Sequence, residues 1–202
     1  MKETNYAKLE KIMNANGGCI TRKDVDEAGI PSWFLSDFVK KNNLSKLAPG
    51  FYATDSYIYD GYFILQSRYS KYIFSGLSAL YLLGLTDKIP TDIEVTSPQN
   101  YHPSRNKPDS LVIRKISNQE AYELGVRETK TMFGNKVMVY DEERTICDVI
   151  KYRDKYDPET FIKAINLYVK KVNNQTKLLK YAKKLGIEKK AYEILEIVTN
   201  AD

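Results

Sequence analysis

The chain has 202 residues, of which 43% are hydrophobic and 28% are charged, and its formal net charge is +5. This length favours two domains, and the apolar fraction is sufficient for packed cores. Two distant cysteines, Cys19 and Cys147, and the single His102 are too few for a zinc site, so we expect neither a metal nor a cofactor. The sequence shows no secretory signal and no apolar run of ~18 residues, which predicts a cytoplasmic protein that does not enter a membrane.

The first part of the chain predicts three helices. Residues 6–13 carry apolar side chains at helical spacing. Residues 21–24 (TRKD) have the form of a capping box, in which a threonine hydroxyl and an acid three residues later satisfy backbone amides, so a second helix begins here. Ser32 is expected to cap a third helix over residues 33–41. Two short helices joined by so few residues form a helix-turn-helix.

Amphipathic spacing divides the third helix into a buried side and an outward side. Leu35 and Phe38 fall on the buried side at i and i+3, so the opposite side is the candidate DNA-reading face. Its residues are Ser32, Trp33, Ser36, Asp37 and Lys40. Residues 44–47 and 51–54 flank Pro49-Gly50 and are expected to pair as a hairpin, or wing. The pattern as a whole predicts a winged helix-turn-helix.

Two kinds of DNA contact are expected from this module. Basic side chains would lie on phosphates, and these are Arg22, Lys23, Lys40 and Lys46. Side chains at the start of the third helix would approach base edges, and these are Ser32, Trp33 and Ser36. This face is poor in Arg, Asn and Gln, on which base readout usually relies. A winged helix used only for protein contacts is therefore the alternative interpretation.

Residues 57–202 predict a second domain that contains both strands and helices. Its predicted elements are a connecting helix, a buried apolar helix at 75–85, strands at 93–96 and 111–116, a hairpin at Gly134-Asn135, and a helix capped by Asp141 with further helices after it. The chain is thus predicted to be α+β, with a winged helix-turn-helix at 1–56 and a mixed α/β domain at 57–202 that ends in several helices.

Four residues of this second domain favour an alternative function. Gly76, Ser78, Asp92 and Glu94 have the spacing of a nucleotidyltransferase site, in which a Gly-Ser turn holds a triphosphate and two carboxylates bind magnesium. Two-metal chemistry also requires a third acid on a neighbouring strand, and residues 111–116 offer none. We therefore expect that the chain is not an enzyme, that it has no catalytic residue, and that Glu94 is a surface residue of its strand.

Lysines dominate the last part of the chain, since residues 163–190 contain nine Lys and one Glu. Lys177, Lys180 and Lys184 lie at i, i+3 and i+7 of one predicted helix, so they share a face opposite its buried stripe. Such a face is either solvated or a second DNA-binding surface, and the other DNA-binding signal in this chain favours the latter. The candidate phosphate contacts of this region are Lys163, Lys170, Lys177, Lys180 and Lys184.

Three segments of the sequence match a known family. They are GGCITR at 17–22 leading into LAPGFY at 47–52, residues 74–98 with SGLSAL, GLTD and IP, and ERTICD at 143–148. With these segments the chain resembles the AbiEi-type antitoxins, which are transcriptional regulators of the AbiE (type IV) toxin-antitoxin systems known from phage abortive infection.

The resemblance implies a function and its partners. An AbiEi-type antitoxin would bind operator DNA with repeated half-sites upstream of its own operon and repress transcription, which is negative autoregulation. It would also counteract a separate nucleotidyltransferase toxin, without a stable complex and without itself being that enzyme. We expect a monomer in solution and more than one copy on the DNA, as part of a phage-resistance system.

Overall fold

The computed structural model describes residues 4–102 and 110–199. Contacts divide the chain into two compact units. The first unit runs to Ser70 and also includes Phe133–Asn135, and the second unit comprises the other residues. None of the described helices combines the length and the apolar character that a membrane span requires.

The described part of the first unit contains four helices and three short strands. In chain order these are α1 (Asn5–Ala15), β1 (Cys19–Thr21), α2 (Arg22–Glu27), α3 (Ser32–Lys41), β2 (Ser45–Ala48), β3 (Phe51–Ala53) and α4 (Gly61–Arg68). The strands form an antiparallel sheet in the order β1-β3-β2. Leu9, Val25 and Phe38, one from each of the first three helices, are buried in a common core.

Helix caps explain where α2 and α3 begin. The capping box predicted at residues 21–24 is confirmed: the Asp24 amide donates to Thr21 Oγ1 (3.1 Å) and the Thr21 amide donates to Asp24 Oδ2 (2.7 Å). The predicted cap of α3 is wrong, because Pro31 occupies the cap position and Ser32 is already the first helical residue. No side-chain hydrogen bond caps α3, and Ser32 is exposed.

Helix α4 packs into the first unit through a small apolar cluster. Its Ile64 is buried together with Cys19, Phe51 and Ala53 of the sheet. A boundary after residue 56, which the sequence suggested, would separate Ile64 from these side chains. The contacts instead group the chain up to Ser70 with the first unit.

The described part of the second unit has five strands and six helices. In chain order these are β4 (Ile73–Phe74), α5 (Gly76–Leu82), β5 (Ile93–Pro98), β6 (Leu111–Ile116), α6 (Gln119–Glu123), β7 (Val126–Lys130), β8 (Lys136–Tyr140), α7 (Glu142–Lys151), α8 (Pro158–Lys171), α9 (Gln175–Lys184) and α10 (Glu188–Thr199). A short 3-10 turn (Arg153–Lys155) lies between α7 and α8.

The five strands form one mixed sheet in the order β6-β5-β4-β8-β7. The pairs β5-β6 and β4-β8 are parallel, whereas β4-β5 and β7-β8 are antiparallel. Helices α5 and α7 to α10 share a core that includes Leu80, Ile146, Ile165, Leu178 and Leu195. The predicted α+β class is confirmed.

Candidate nucleic-acid interface

The outward side of α3 has the exposure that its sequence pattern predicted. Leu35 and Phe38 are buried, while Ser32, Trp33 and Ser36 are exposed. Trp33 is 62% exposed, and its ring stacks on Phe34 with 3.7 Å between the ring centroids. The stacking restrains a large apolar ring at the N-terminal end of α3, where a helix that enters a DNA groove makes base contacts.

The other end of α3 is fastened to α1. The Tyr6 hydroxyl donates a hydrogen bond to the Asp37 carboxylate, and Lys41 Nζ lies 4.8 Å from the centroid of the Tyr6 ring. Asp37 is therefore engaged within the protein. Lys40, three residues after Asp37, is exposed and has no ion pair among the described residues.

Helix α2 and the hairpin turn lie side by side in the first unit. The Arg22 amide donates to the Gly50 carbonyl (2.7 Å), which places the start of α2 beside the turn between β2 and β3. The Arg22 side chain pairs with Asp26 (2.9 Å) and that of Lys23 with Glu27 (3.6 Å), and all four side chains are more than half exposed. Such exposed pairs contribute little stability, so both cations can exchange their partners for phosphates at small cost.

The lysines of the second unit differ in their partners. Lys163 pairs with Asp87, and Lys184 Nζ lies 3.6 Å from Glu120 Oε1. Lys170 and Lys180 are exposed without an ion pair among the residues that the structure describes. Two of the predicted phosphate contacts are therefore uncompensated cations, and two carry an exposed acidic partner.

Lys177 departs from the predicted arrangement. Its Nζ lies 2.8 Å from Glu143 Oε2 and 3.0 Å from Asp141 Oδ2, two carboxylates that are almost completely buried at the start of α7. Burial alone would lower the pKa of Lys177, but its hydrogen bonds to Glu143 and Asp141 outweigh that effect and raise it. The prediction that Lys177 shares an outward face with Lys180 and Lys184 is wrong, because α9 packs on α7 and the ammonium turns toward these acids.

The comparisons with known proteins bear on the first unit. Residues 12–54 match the family described as "Transcriptional regulator, AbiEi antitoxin". The resemblance inferred from the sequence is confirmed over this AbiEi segment, which runs from within α1 to the end of the hairpin and contains all of α3. No curated protein matches the chain.

A solved structure is similar over most of the chain. The RV2827C protein from Mycobacterium tuberculosis superposes with a TM-score of 0.53, covering 90% of this chain and 72% of that one at 15% sequence identity. At this identity the similarity shows a shared fold, and it extends beyond the AbiEi segment into the second unit.

The ERTICD motif of the second unit has a structural role that periodicity did not reveal. Arg144 is buried, its Nε donates to Asp148 Oδ1 (3.2 Å) and its Nη1 donates to the carbonyls of Ala121 and Leu124 at the end of α6. Its guanidinium also lies 4.1 Å from the centroid of the Tyr140 ring. Burial raises the pKa of the Asp148 carboxyl, although the adjacent Arg144 opposes the shift. The motif thus joins α7 to α6 through a satisfied buried cation.

The nucleotidyltransferase-like residues form a second polar cluster. Glu94 Oε1 accepts from the Leu77 amide (3.2 Å) and Glu94 Oε2 accepts from Arg114 Nη2 (2.6 Å). Ser78 Oγ accepts from the Glu94 amide (2.9 Å), so this hydroxyl supports the backbone of β5. The expectation that Glu94 is a surface residue is wrong, because its side chain is 14% exposed and paired with Arg114 across β5 and β6.

This cluster also explains why residue 76 is a glycine. Gly76 has a φ of +56°, and a Cβ there would overlap Glu94 Oε2. Asp92 is exposed just before β5. Both Glu94 oxygens are occupied by donors, and no group of three metal-ligating side chains occurs among the described residues. Of the two predicted carboxylates only Asp92 is therefore open, whereas two-metal transfer requires several carboxylates that can bind the ions.

Proposed function

We propose that the chain is an antitoxin and transcriptional repressor that binds operator DNA through its first unit. The observation that carries this proposal is the match of residues 12–54 to a family of transcriptional regulators, because this segment contains a helix whose outward face is exposed. The order of α1, α2, α3 and the β2-β3 hairpin is that of a winged helix-turn-helix. In such modules the second helix of the pair enters the major groove.

The residues of the first unit take two roles in this proposal. Ser32, Trp33 and Ser36 approach base edges, since they lie on the exposed face in the first part of α3. The phosphate contacts are Arg22, Lys23, Lys40 and Lys46. Arg22 and Lys23 release Asp26 and Glu27 when they bind, whereas Lys40 and Lys46 have no ion pair to break among the described residues.

A lysine surface of the second unit would strengthen binding without reading sequence. Lys180 and Lys184 lie at i and i+4 of α9 and therefore share one side of the helix, and Lys163 and Lys170 are exposed or half-exposed on α8. Each phosphate that these cations neutralise releases counterions, which is the main source of sequence-independent affinity. Lys177 is not part of this surface, because Glu143 and Asp141 already hold its charge.

The regulator would act as the antitoxin of a toxin-antitoxin pair. In this proposal it represses its own operon in the cytoplasm, and it opposes a nucleotidyltransferase toxin that is encoded separately. Several monomers occupy repeated half-sites of the operator.

Mobility-shift titration with DNA from upstream of the gene tests the proposal. We expect a dissociation constant at or below about 10⁻⁸ M, and binding at least about 10³-fold weaker on an unrelated duplex of equal length and composition. Equal affinity for both duplexes would contradict sequence-specific repression. Absence of binding to either would support the alternative of a winged helix that contacts proteins.

A further inference from the structure

An open pocket of about 450 Å³ lies beside β5 and β6 in the second unit. Its apolar lining comes from Leu77, Val112 and Tyr152, and its charged lining includes the exposed Asp92 and Lys155. Pockets of about 300–1,000 Å³ with mostly apolar walls and a few convergent polar groups are typical of small-molecule sites. The DNA-binding proposal makes no use of this pocket.

The deeper part of the pocket is built around a fixed ion pair. Glu94 and Arg114 line it, their side chains are 14% and 17% exposed, and their closest atoms are 2.6 Å apart. Arg114 also donates to the Tyr156 hydroxyl (2.9 Å) and lies over the Tyr152 ring, 4.6 Å from its centroid. The pair, the hydroxyl and the ring hold the guanidinium in one place before any ligand arrives.

One nitrogen of that guanidinium is left without a partner. Arg114 Nη1 is buried and has no hydrogen bond among the described residues. Leaving a buried charged donor unpaired is costly, and in native proteins such groups usually have an additional partner. Because Nη1 has no exposed surface in the unliganded protein, an acceptor atom on a ligand would reach it only as the surrounding side chains move apart.

The charges of the pocket define the class of ligand. Two carboxylates, Asp92 and Glu94, are balanced by two cations, Arg114 and Lys155, so the formal charges cancel. The balanced charges give the pocket no net attraction for a purely ionic ligand, whereas an uncharged ring that has both donors and acceptors would meet complementary groups. Purine and pyrimidine bases with an exocyclic amino group have this character, and their flat apolar faces suit the lining of Leu77, Val112 and Tyr152.

We propose that this pocket binds a nucleoside or nucleotide whose base carries an exocyclic amino group. Asp92 accepts a hydrogen bond from the amino group, and Arg114 donates to a carbonyl or ring nitrogen of the base. Lys155, at the edge of the pocket, contacts the 5′-phosphate if the ligand is a nucleotide. The site is for binding and not for transfer, because both Glu94 oxygens are occupied by Leu77 and Arg114.

Calorimetric titration of the full chain with uncharged nucleosides tests this proposal. Nucleosides are the first probes because phosphates would also bind the exposed lysines of the protein. We expect adenosine, cytidine or guanosine to bind with a dissociation constant below about 1 mM in the presence of EDTA. Inosine should bind about tenfold more weakly than adenosine, and uridine about tenfold more weakly than cytidine, because each lacks the amino group of its counterpart.

Three variants locate the binding. Asp92→Asn should weaken binding about tenfold, because it removes one charged hydrogen bond. Val112→Trp should abolish binding by filling the pocket, and since Val112 is 45% exposed the larger ring can be accommodated at the surface. Lys190→Ala, which removes an exposed lysine elsewhere in the unit, should change nothing. Circular dichroism and the unfolding midpoint show that each variant is folded.

The outcomes separate the proposal from its competitors. If no nucleoside binds at millimolar concentration, or if binding survives both Asp92→Asn and Val112→Trp in folded protein, the pocket is not a nucleoside site. Binding that appears only with magnesium would also overturn it, in favour of a metal site. If the 5′-monophosphate binds more tightly than the nucleoside, and Lys155→Ala but not Lys190→Ala removes that difference, the ligand is a nucleotide. Equal affinities of the two compounds would identify the nucleoside. Operator binding is measured separately, so either proposal can fail alone.

Discussion

Lys177 and Lys180 lie three residues apart on α9, yet replacing each by alanine should affect different properties. Lys177→Ala should lower stability, whereas Lys180→Ala should weaken DNA binding. Lys177 holds two carboxylates, of which Glu143 is 3% and Asp141 is 9% exposed at the side chain. Removing one partner of a fully buried ion pair costs about 3–5 kcal/mol. Because the Lys177 side chain is itself 38% exposed, water screens part of the interaction, and we expect Lys177→Ala to lower the free energy of unfolding by about 2 kcal/mol.

Lys180→Ala should leave stability almost unchanged, because Lys180 is exposed and has no ion pair among the described residues. A surface substitution of this kind usually changes stability by less than about 0.5 kcal/mol. If Lys180 contacts a phosphate, the slope of log K against log salt should flatten by about 0.9. Lys177→Ala should leave that slope as it is in the wild type.

Two measurements separate these effects. Urea unfolding followed by circular dichroism gives the stability of each variant, and fluorescence anisotropy with upstream DNA over a salt series gives the slope. Wild-type stability of Lys177→Ala would refute the structural role of this lysine. Equal slopes for Lys180→Ala and the wild type would show that Lys180 is merely solvated and contacts no phosphate.

Three further predictions concern the core and the separation of functions. Gly76→Ala should destabilise the protein by about 4 kcal/mol in chemical unfolding, because its Cβ would overlap Glu94 and break the largely buried ion pair with Arg114. Gly186→Ala is the control: it has φ of +71° and no atom within 4 Å of the new Cβ, so it should cost about 1 kcal/mol. Burial raises the pKa of the Cys19 thiol to about 11 and that of Cys147 to about 12, so the native state retains these protons to higher pH than the unfolded chain. Their contribution to stability is complete below about pH 9 and declines as pH rises toward 11–12, and pH-dependent urea unfolding measures it. Ser36→Glu should abolish repression of a reporter but keep protection from the toxin in a growth assay, and loss of both by a folded variant would mean that protection depends on DNA binding.

Local patterns predicted the parts of the fold that local chemistry determines. The capping box at residues 21–24 was predicted because both of its hydrogen bonds join residues three apart. The exposed side of α3 was predicted because helical spacing assigns Leu35 and Phe38 to the core. Neither prediction needed knowledge of distant residues.

Long-range pairing explains what the sequence did not reveal. Glu94 and Arg114 are 20 residues apart and meet because β5 and β6 are adjacent and parallel, which no periodicity in either strand indicates. Arg144 is a charged residue that periodicity assigns to the surface, and it is buried because α6 presents two carbonyls to it. Lys177 turns inward for a similar reason, since its acidic partners precede it by more than 30 residues.

The central claim is that the exposed face of α3 reads operator DNA. Fluorescence anisotropy on the upstream duplex, comparing Ser36→Glu with Asn14→Glu, tests it directly because each variant adds one negative charge to an exposed helical position of the first unit. We predict that Ser36→Glu weakens specific binding by about 2 kcal/mol or more, roughly 30-fold, through a charge placed against bases and phosphates. Asn14→Glu, on α1, should stay within about threefold of the wild type. Equal affinities of the two folded variants would contradict DNA recognition by α3.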